Sequence, residues 1–153
     1  MKYLAWAFFI FLTLLMQTQF SVFNTPLNLT VVLTYYFALK SLPRKSMADS
    51  YFGSRAEIKS TAFGAFVGLL EDILLGSIIG PNFFSKGLIG FISVLTFTEV
   101  VFKWTPVLGV ITVIVFTIFD NVIVAGLRII FSGINISMLN MLYTAIIQAI
   151  VNI

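Results

Sequence analysis

Cysteine and histidine are both absent from this 153-residue chain. Without cysteine there is no disulfide, thiolate metal site, c-type haem attachment or nucleophilic thiol. Without histidine, imidazole bases and His-rich metal sites go as well. Charge is scarce too: Asp, Glu, Lys and Arg make up 10% of the residues, against about 25% in an ordinary soluble domain. What remains is apolar, with 59% hydrophobic residues and a mean hydropathy of +1.06. A globule of this size leaves much of its surface exposed and has no room to hide such an excess. Lipid is the expected solvent for most of that surface, and the expected class is an all-α integral membrane protein. Neither a cofactor nor a metal is expected; carboxylate, hydroxyl and lysine groups are the chemistry left to it.

A helix needs about 20 apolar residues to cross the hydrocarbon core. Six candidates appear, at roughly 3–23, 27–42, 59–79, 82–102, 106–130 and 135–152 by that criterion, the second of them short and suited to little tilt or a thinned region. They leave no soluble domain over, so residues 1–153 read as one six-helix transmembrane bundle. The first segment, "MKYLAWAFFIFLTLLM", has no A-x-A cleavage site after its apolar run and reads as an uncleaved span. Pro26 suits the start of the second, where its missing N–H is an orphan position anyway. Most connections are short, for example "GPN" at 80–82 and "KWTP" at 103–106, and such links force neighbouring helices to run antiparallel.

The net charge of +3 suggests a nucleic-acid partner only until the charges are located. Five of the nine basic residues, Lys40, Arg44, Lys45, Arg55 and Lys59, fall in and around one loop. Cytoplasmic loops collect Lys and Arg, so this pattern is topological and nucleic-acid binding is not expected. With that loop in the cytoplasm, six spans place both termini there, and Lys2 and Lys103 join the same side. The basic loop would also meet anionic lipid or a cytoplasmic partner.

The segment "GAFVGLLEDILLGSIIGPN" carries two acids in the midst of apolar residues. Gly64, Gly68, Asp72, Gly76 and Gly80 recur every four residues, which on a continuous helix forms one stripe. Small residues at this spacing let helices pack closely in lipid, so Gly64, Gly68, Gly76 and Gly80 are the expected packing face. Counting about 1.5 Å per residue puts Asp72 roughly 18 Å deep, near the bilayer midplane. A carboxylate there costs on the order of 3 kcal/mol and requires compensation. The expected cluster joins Glu71, Asp72, Asn82, Lys86, Asp120 and Arg128 in an intramembrane polar pocket or partner contact, with Asp72 presenting its charge there. Thr117 and Asn121 stand beside Asp120. Thr13, Gln17 and Ser21 mark one face of the first span, and Ser137, Asn140, Thr144, Gln148 and Asn152 one face of the last; their expected use is interhelical hydrogen bonding.

Three function classes follow. Catalysis by two intramembrane acids would draw on Asp72 and Asp120, but the N-x-x-D and F-N-x-A-D motifs of lipoprotein signal peptidases are absent and no supporting shell is visible, so no enzyme is expected. A solute-binding bundle would use the polar interior as a pocket, as in the substrate-binding subunits of energy-coupling-factor vitamin transporters. The third class is a scaffold that holds other proteins together.

Resemblance favours the third. The run "PLNLTVVLTYYFALKSLPRKS" resembles the second span and basic exit of the rod shape-determining protein MreD. "AFGAFVGLLEDILLGSIIGPNFFSKGLIGF" is similar to that family's G-x-x-x-G-L-x-x-D run, here Gly64, Gly68, Leu69 and Asp72, followed by Gly76, Gly80 and Asn82. The likeness is specific over about residues 26–90. It implies a fold similar to the vitamin-transporter subunits, a place in the bacterial inner membrane, and a non-enzymatic role in cell elongation and lateral peptidoglycan synthesis. It also implies MreC as a direct partner, with MreB, RodA and the elongation transpeptidase beyond it. A homo-oligomer is left open. The family's Asp falls on Asp72, and nothing is inherited for Glu71.

Overall fold

The computed structural model describes residues 2–22, 25–42, 55–76, 78–96, 105–133 and 138–152. These form six helices: α1 (Lys2–Gln19), α2 (Leu29–Ser41), α3 (Arg55–Leu74), α4 (Pro81–Leu95), α5 (Pro106–Ser132) and α6 (Met138–Val151). Between α1 and α2 lies a minimal antiparallel pair, β1 (Ser21–Val22) and β2 (Thr25–Pro26), with Ser21 opposite Pro26 and Val22 opposite Thr25. Pro26 therefore does not open the second helix as expected. It sits in a strand, where a missing N–H is tolerated on an edge, and α2 begins at Leu29 behind Asn28.

Helix ends are set by local chemistry. The Thr105 side chain accepts a hydrogen bond from the Leu108 N–H at 3.3 Å and Pro106 follows as the first helical residue, so α5 starts there. Gly133, at φ 62°, closes it in the left-handed conformation that glycine tolerates best. The third helix is shifted from the expected 59–79 segment: it begins earlier, at Arg55, and stops at Leu74, and Gly76 (φ 58°) and Gly80 (φ 134°) turn the chain into α4.

The largest interface is between α3 and α4. A side chain at Gly64 would collide with the carbonyl oxygen of Lys86, and one at Gly68 with that of Asn82. From the other side, a side chain at Gly90 would strike the Ser60 carbonyl. Backbone thus packs on backbone along this hairpin. The four-residue beat of the sequence is correct for Gly64 and Gly68 only. Gly76 and Gly80 lie beyond the helix, with open space for 4 Å around the point a Cβ would occupy, and their role is to turn.

Helices α2 and α4 form the middle of the bundle, α2 touching α1, α3, α4 and α5, while α6 lies against α5. One apolar cluster joins α2, α4 and α5 through Val31, Tyr35, Ile89, Val113 and Phe116. Another joins α1, α2 and α3 through Ile10, Leu14, Leu33 and Val67. Beside it the Phe37 and Phe63 rings stack at 3.8 Å, with Trp6 edge-on to both.

Polar side chains are buried beside these apolar clusters, and many large apolar side chains face outward. Thr30, Thr34, Asp72, Ser85, Lys86 and Thr117 are wholly buried, while Phe8, Phe11, Ile130 and Leu139 are 63%, 61%, 75% and 77% exposed. Among the described residues, one helix, Pro106–Phe131, is long and apolar enough by length and composition to cross a membrane. Trp6–Gln19, Leu29–Ser41 and Leu139–Val151 are apolar but shorter.

Candidate functional site

Lys86 on α4 is the centre of a buried polar network. Its ammonium lies 2.6 Å from Asp120 Oδ2 on α5 and 3.6 Å from Glu71 Oε2 on α3. Neither acid depends on the lysine alone. Asp120 Oδ1 accepts from the Ser85 hydroxyl at 2.6 Å, and Oδ2 also accepts from the Asn28 amide at 2.6 Å. Glu71 Oε1 accepts from the Gln17 amide and Oε2 from the Thr30 hydroxyl, both at 2.7 Å. Hydrogen bonds to charged groups are shorter and stronger than neutral ones, and burial removes the competition from water.

The network extends outward from that core. Gln17 Oε1 accepts from the Thr30 N–H at 3.3 Å, and the Asn152 amide donates to the Asn28 carbonyl at 3.0 Å and the Thr117 hydroxyl at 3.1 Å. The Asn121 amide donates to the Thr117 carbonyl and, at 2.7 Å, to Gln148 Oε1. Side chains from all six helices are thereby joined in one set of polar contacts, with Asn28 just ahead of α2 serving as a hub. Asn28 is placed to cap α2, yet its side chain makes no capping bond and turns instead to Asp120.

Asp72 belongs to a different arrangement. Its Oδ2 accepts from the backbone N–H groups of Gly80 (2.9 Å) and Phe83 (3.2 Å), and its Oδ1 from the N–H (3.3 Å) and side-chain amide (2.8 Å) of Asn82. These backbone donors stand at the N-terminus of α4, where N–H groups lack intrahelical partners and the helix dipole favours an anion. Glycine at the N-cap carries no side chain to satisfy them, so an acid on the preceding helix does so. The expectation that Asp72 presents its charge to a pocket or partner gives way to this: it is fully buried and holds the hairpin turn.

Comparison with family models, with curated proteins and with solved structures finds no match for this chain.

Of the residues expected to cluster, Glu71, Lys86 and Asp120 come together, Asp72 and Asn82 pair at the α3–α4 turn, and Arg128 stands elsewhere. It lines a hollow of about 180 Å³ between α5 and α6, with Asn121, Asn140 and Thr144 among its neighbours there. Lys40, Arg55 and Lys59 are exposed, Lys40 with its ammonium 5.2 Å from the centre of the Trp6 ring. Arg44 and Lys45, the rest of the basic loop, lie outside the described residues, as do Lys103 and Ser137.

Asn28, Thr30 and Ser85 are not among the residues that the sequence pattern singles out. Thr30 has Thr34 four residues on, a pair that marks a polar face of α2 and could have drawn attention to it; for Asn28 and Ser85 only packing reveals that they face the buried acids. The signal that the sequence does carry lies in Gln17, Thr117, Gln148 and Asn152, on the polar faces of the first, fifth and sixth segments. Chemically, the arrangement braces helices against one another. Asp72 and Asp120, the two acids that an aspartyl mechanism would require side by side, take separate sets of partners.

Proposed function

We propose that this protein is a multi-pass scaffold of a bacterial inner membrane, of the MreD type. All six helices form a membrane bundle in this reading, with the loop after Lys40 and both termini in the cytoplasm. The observation that carries it is the distribution of polarity: buried polar side chains from every helix bind one another, while large apolar side chains cover the outside. A bundle built this way keeps its shape in lipid without enclosing a solute, and meets partners laterally through its apolar faces. Polar contacts between helices are the usual means of fixing such packing where hydrophobic burial gives no drive.

The resemblance supports the same reading. Its most specific motif, Gly64, Gly68 and Asp72 followed by Gly76, Gly80 and Asn82, makes up the α3–α4 hairpin, in which two glycines admit the neighbouring backbone and the acid caps the next helix. A motif used in this way is a signature of fold, consistent with a shared architecture. By that resemblance the direct partner is MreC, and through it MreB, RodA and the elongation transpeptidase; the role is maintenance of rod shape and lateral wall synthesis.

Tagging the protein in its native cells, solubilising gently and identifying what co-purifies tests this directly. The expected result is recovery of an MreC-like protein with wall-elongation enzymes. Recovery of a transmembrane coupling subunit with ATPases would overturn it in favour of a vitamin-transporter binding subunit.

A further inference from the structure

A lateral slot of about 560 Å³ lies between α1 and α2, apart from the polar network. Phe9, Leu29, Val32 and Leu33 make its walls apolar, and Thr13 is the one aliphatic hydroxyl along it. Trp6, Tyr36 and Lys40 line the same slot. The helices on its two sides run antiparallel, so that Trp6, near the start of α1, meets the last turns of α2: its ring is 6.3 Å from that of Tyr36 and beneath the Lys40 ammonium. The slot therefore has a cationic, aromatic end and an apolar body.

Its length is informative. From Leu29 to Lys40 α2 rises about 16 Å at 1.5 Å per residue. That is also about the length of one acyl chain, half of the roughly 30 Å hydrocarbon core. Tryptophan, tyrosine and lysine are the residues that settle at headgroup level, the lysine extending its ammonium toward the phosphates. An acyl chain of one leaflet needs no more than the slot provides, and Lys40 supplies the charge complementary to an anionic headgroup; among the described residues no ion pair engages it.

We propose that this slot binds an acyl chain of an anionic glycerophospholipid, with the headgroup phosphate on Lys40. The inference rests on the membrane reading above, and places the lipid in the cytoplasmic leaflet.

The chain has two tryptophans, Trp6 and Trp104, so Trp104→Phe leaves Trp6 as the only indole. This variant would be reconstituted into vesicles doped with phosphatidylglycerol or with phosphatidylcholine, each brominated on its acyl chains. Quenching is referred to the same protein in unbrominated lipid. Phosphatidylglycerol should quench Trp6 with about fivefold higher apparent affinity than phosphatidylcholine, the preference one lysine near the surface confers. Lys40→Gln should abolish the preference, and Thr13→Phe, which fills the slot, should weaken quenching by both lipids. Equal quenching by the two, unchanged in Lys40→Gln, would overturn the headgroup site. No quenching by either, in protein that floats with the vesicles, would mean that protein covers the slot and would overturn lipid binding. Failure to float with vesicles would remove the membrane reading and the lipid site together, whereas the identity of the protein partners is decided separately by co-purification.

Discussion

Lys86 is wholly buried between Asp120 and Glu71, so its value to the fold is best seen by removing it. Lys86→Met leaves two buried carboxylates without their cation, a loss that costs about 3–5 kcal/mol when one partner of a buried pair is deleted. A melt in detergent should therefore drop sharply, and Lys86→Met with Asp120→Asn should recover part of the loss, because the second change removes the stranded charge. A double variant no better than the single would refute direct coupling between the two. Asp72 calls for a milder comparison. Asp72→Ala strips the acceptor from the N–H groups of Gly80, Asn82 and Phe83, at about 1–3 kcal/mol for buried donors left unsatisfied. Asp72→Asn keeps an acceptor oxygen and should melt between the two; equal stability of all three proteins would show that the cap contributes nothing.

At the level of elements, the α3–α4 hairpin depends on three close approaches of backbone to backbone at Gly64, Gly68 and Gly90. Gly68→Ala drives a methyl into the Asn82 carbonyl, and overpacking of this kind costs about 1–3 kcal/mol. Gly126, inside α5, has nothing within 4 Å of an added Cβ. Alanine there should leave stability unchanged or raise it by about 0.5–1 kcal/mol, since glycine is the poorer helix former. Thermal melts and size-exclusion profiles of the two variants check the contrast, and equal behaviour would mean that the hairpin tolerates separation. The four-residue beat of glycines is legible in the sequence, but the point where the helix leaves it is not. A periodic pattern carries no sign of where the helix ends, and Gly76 and Gly80 keep the beat while their positive φ angles carry the chain out of the helix.

For the molecule as a whole, the proposed orientation is open to labelling because the chain contains no cysteine. Ser50→Cys, in the basic loop, should react with a membrane-impermeant maleimide only when the cytoplasmic face is exposed. Ile79→Cys, at an exposed position in the turn between α3 and α4, should react from the outside in intact cells. The reverse pattern would invert the topology, and labelling of both from one side would exclude a crossing by α3. Under the proposed function a partner is sought on lateral faces, because the interior acids and amides already bind each other and apolar side chains such as Phe8, Phe11 and Ile130 point outward.

Much about this protein is determined by the sequence alone. Apolar runs, sparse charge and short links specify six helices, because in lipid, the solvent of the proposed reading, a polypeptide satisfies its backbone most simply by helix formation. The buried ionisable residues are marked there too, since an acid in an apolar run demands a partner wherever it lies. The choice of partner belongs to the tertiary structure. Glu71 and Asp72 are adjacent, yet successive residues on a helix point about 100° apart, and that rotation sends one to Lys86, Gln17 and Thr30 and the other to the amino end of α4. Which way each points depends on how α3 is rolled against its neighbours, and that roll is set by the contacts at Gly64 and Gly68, which exist only once both helices are in place.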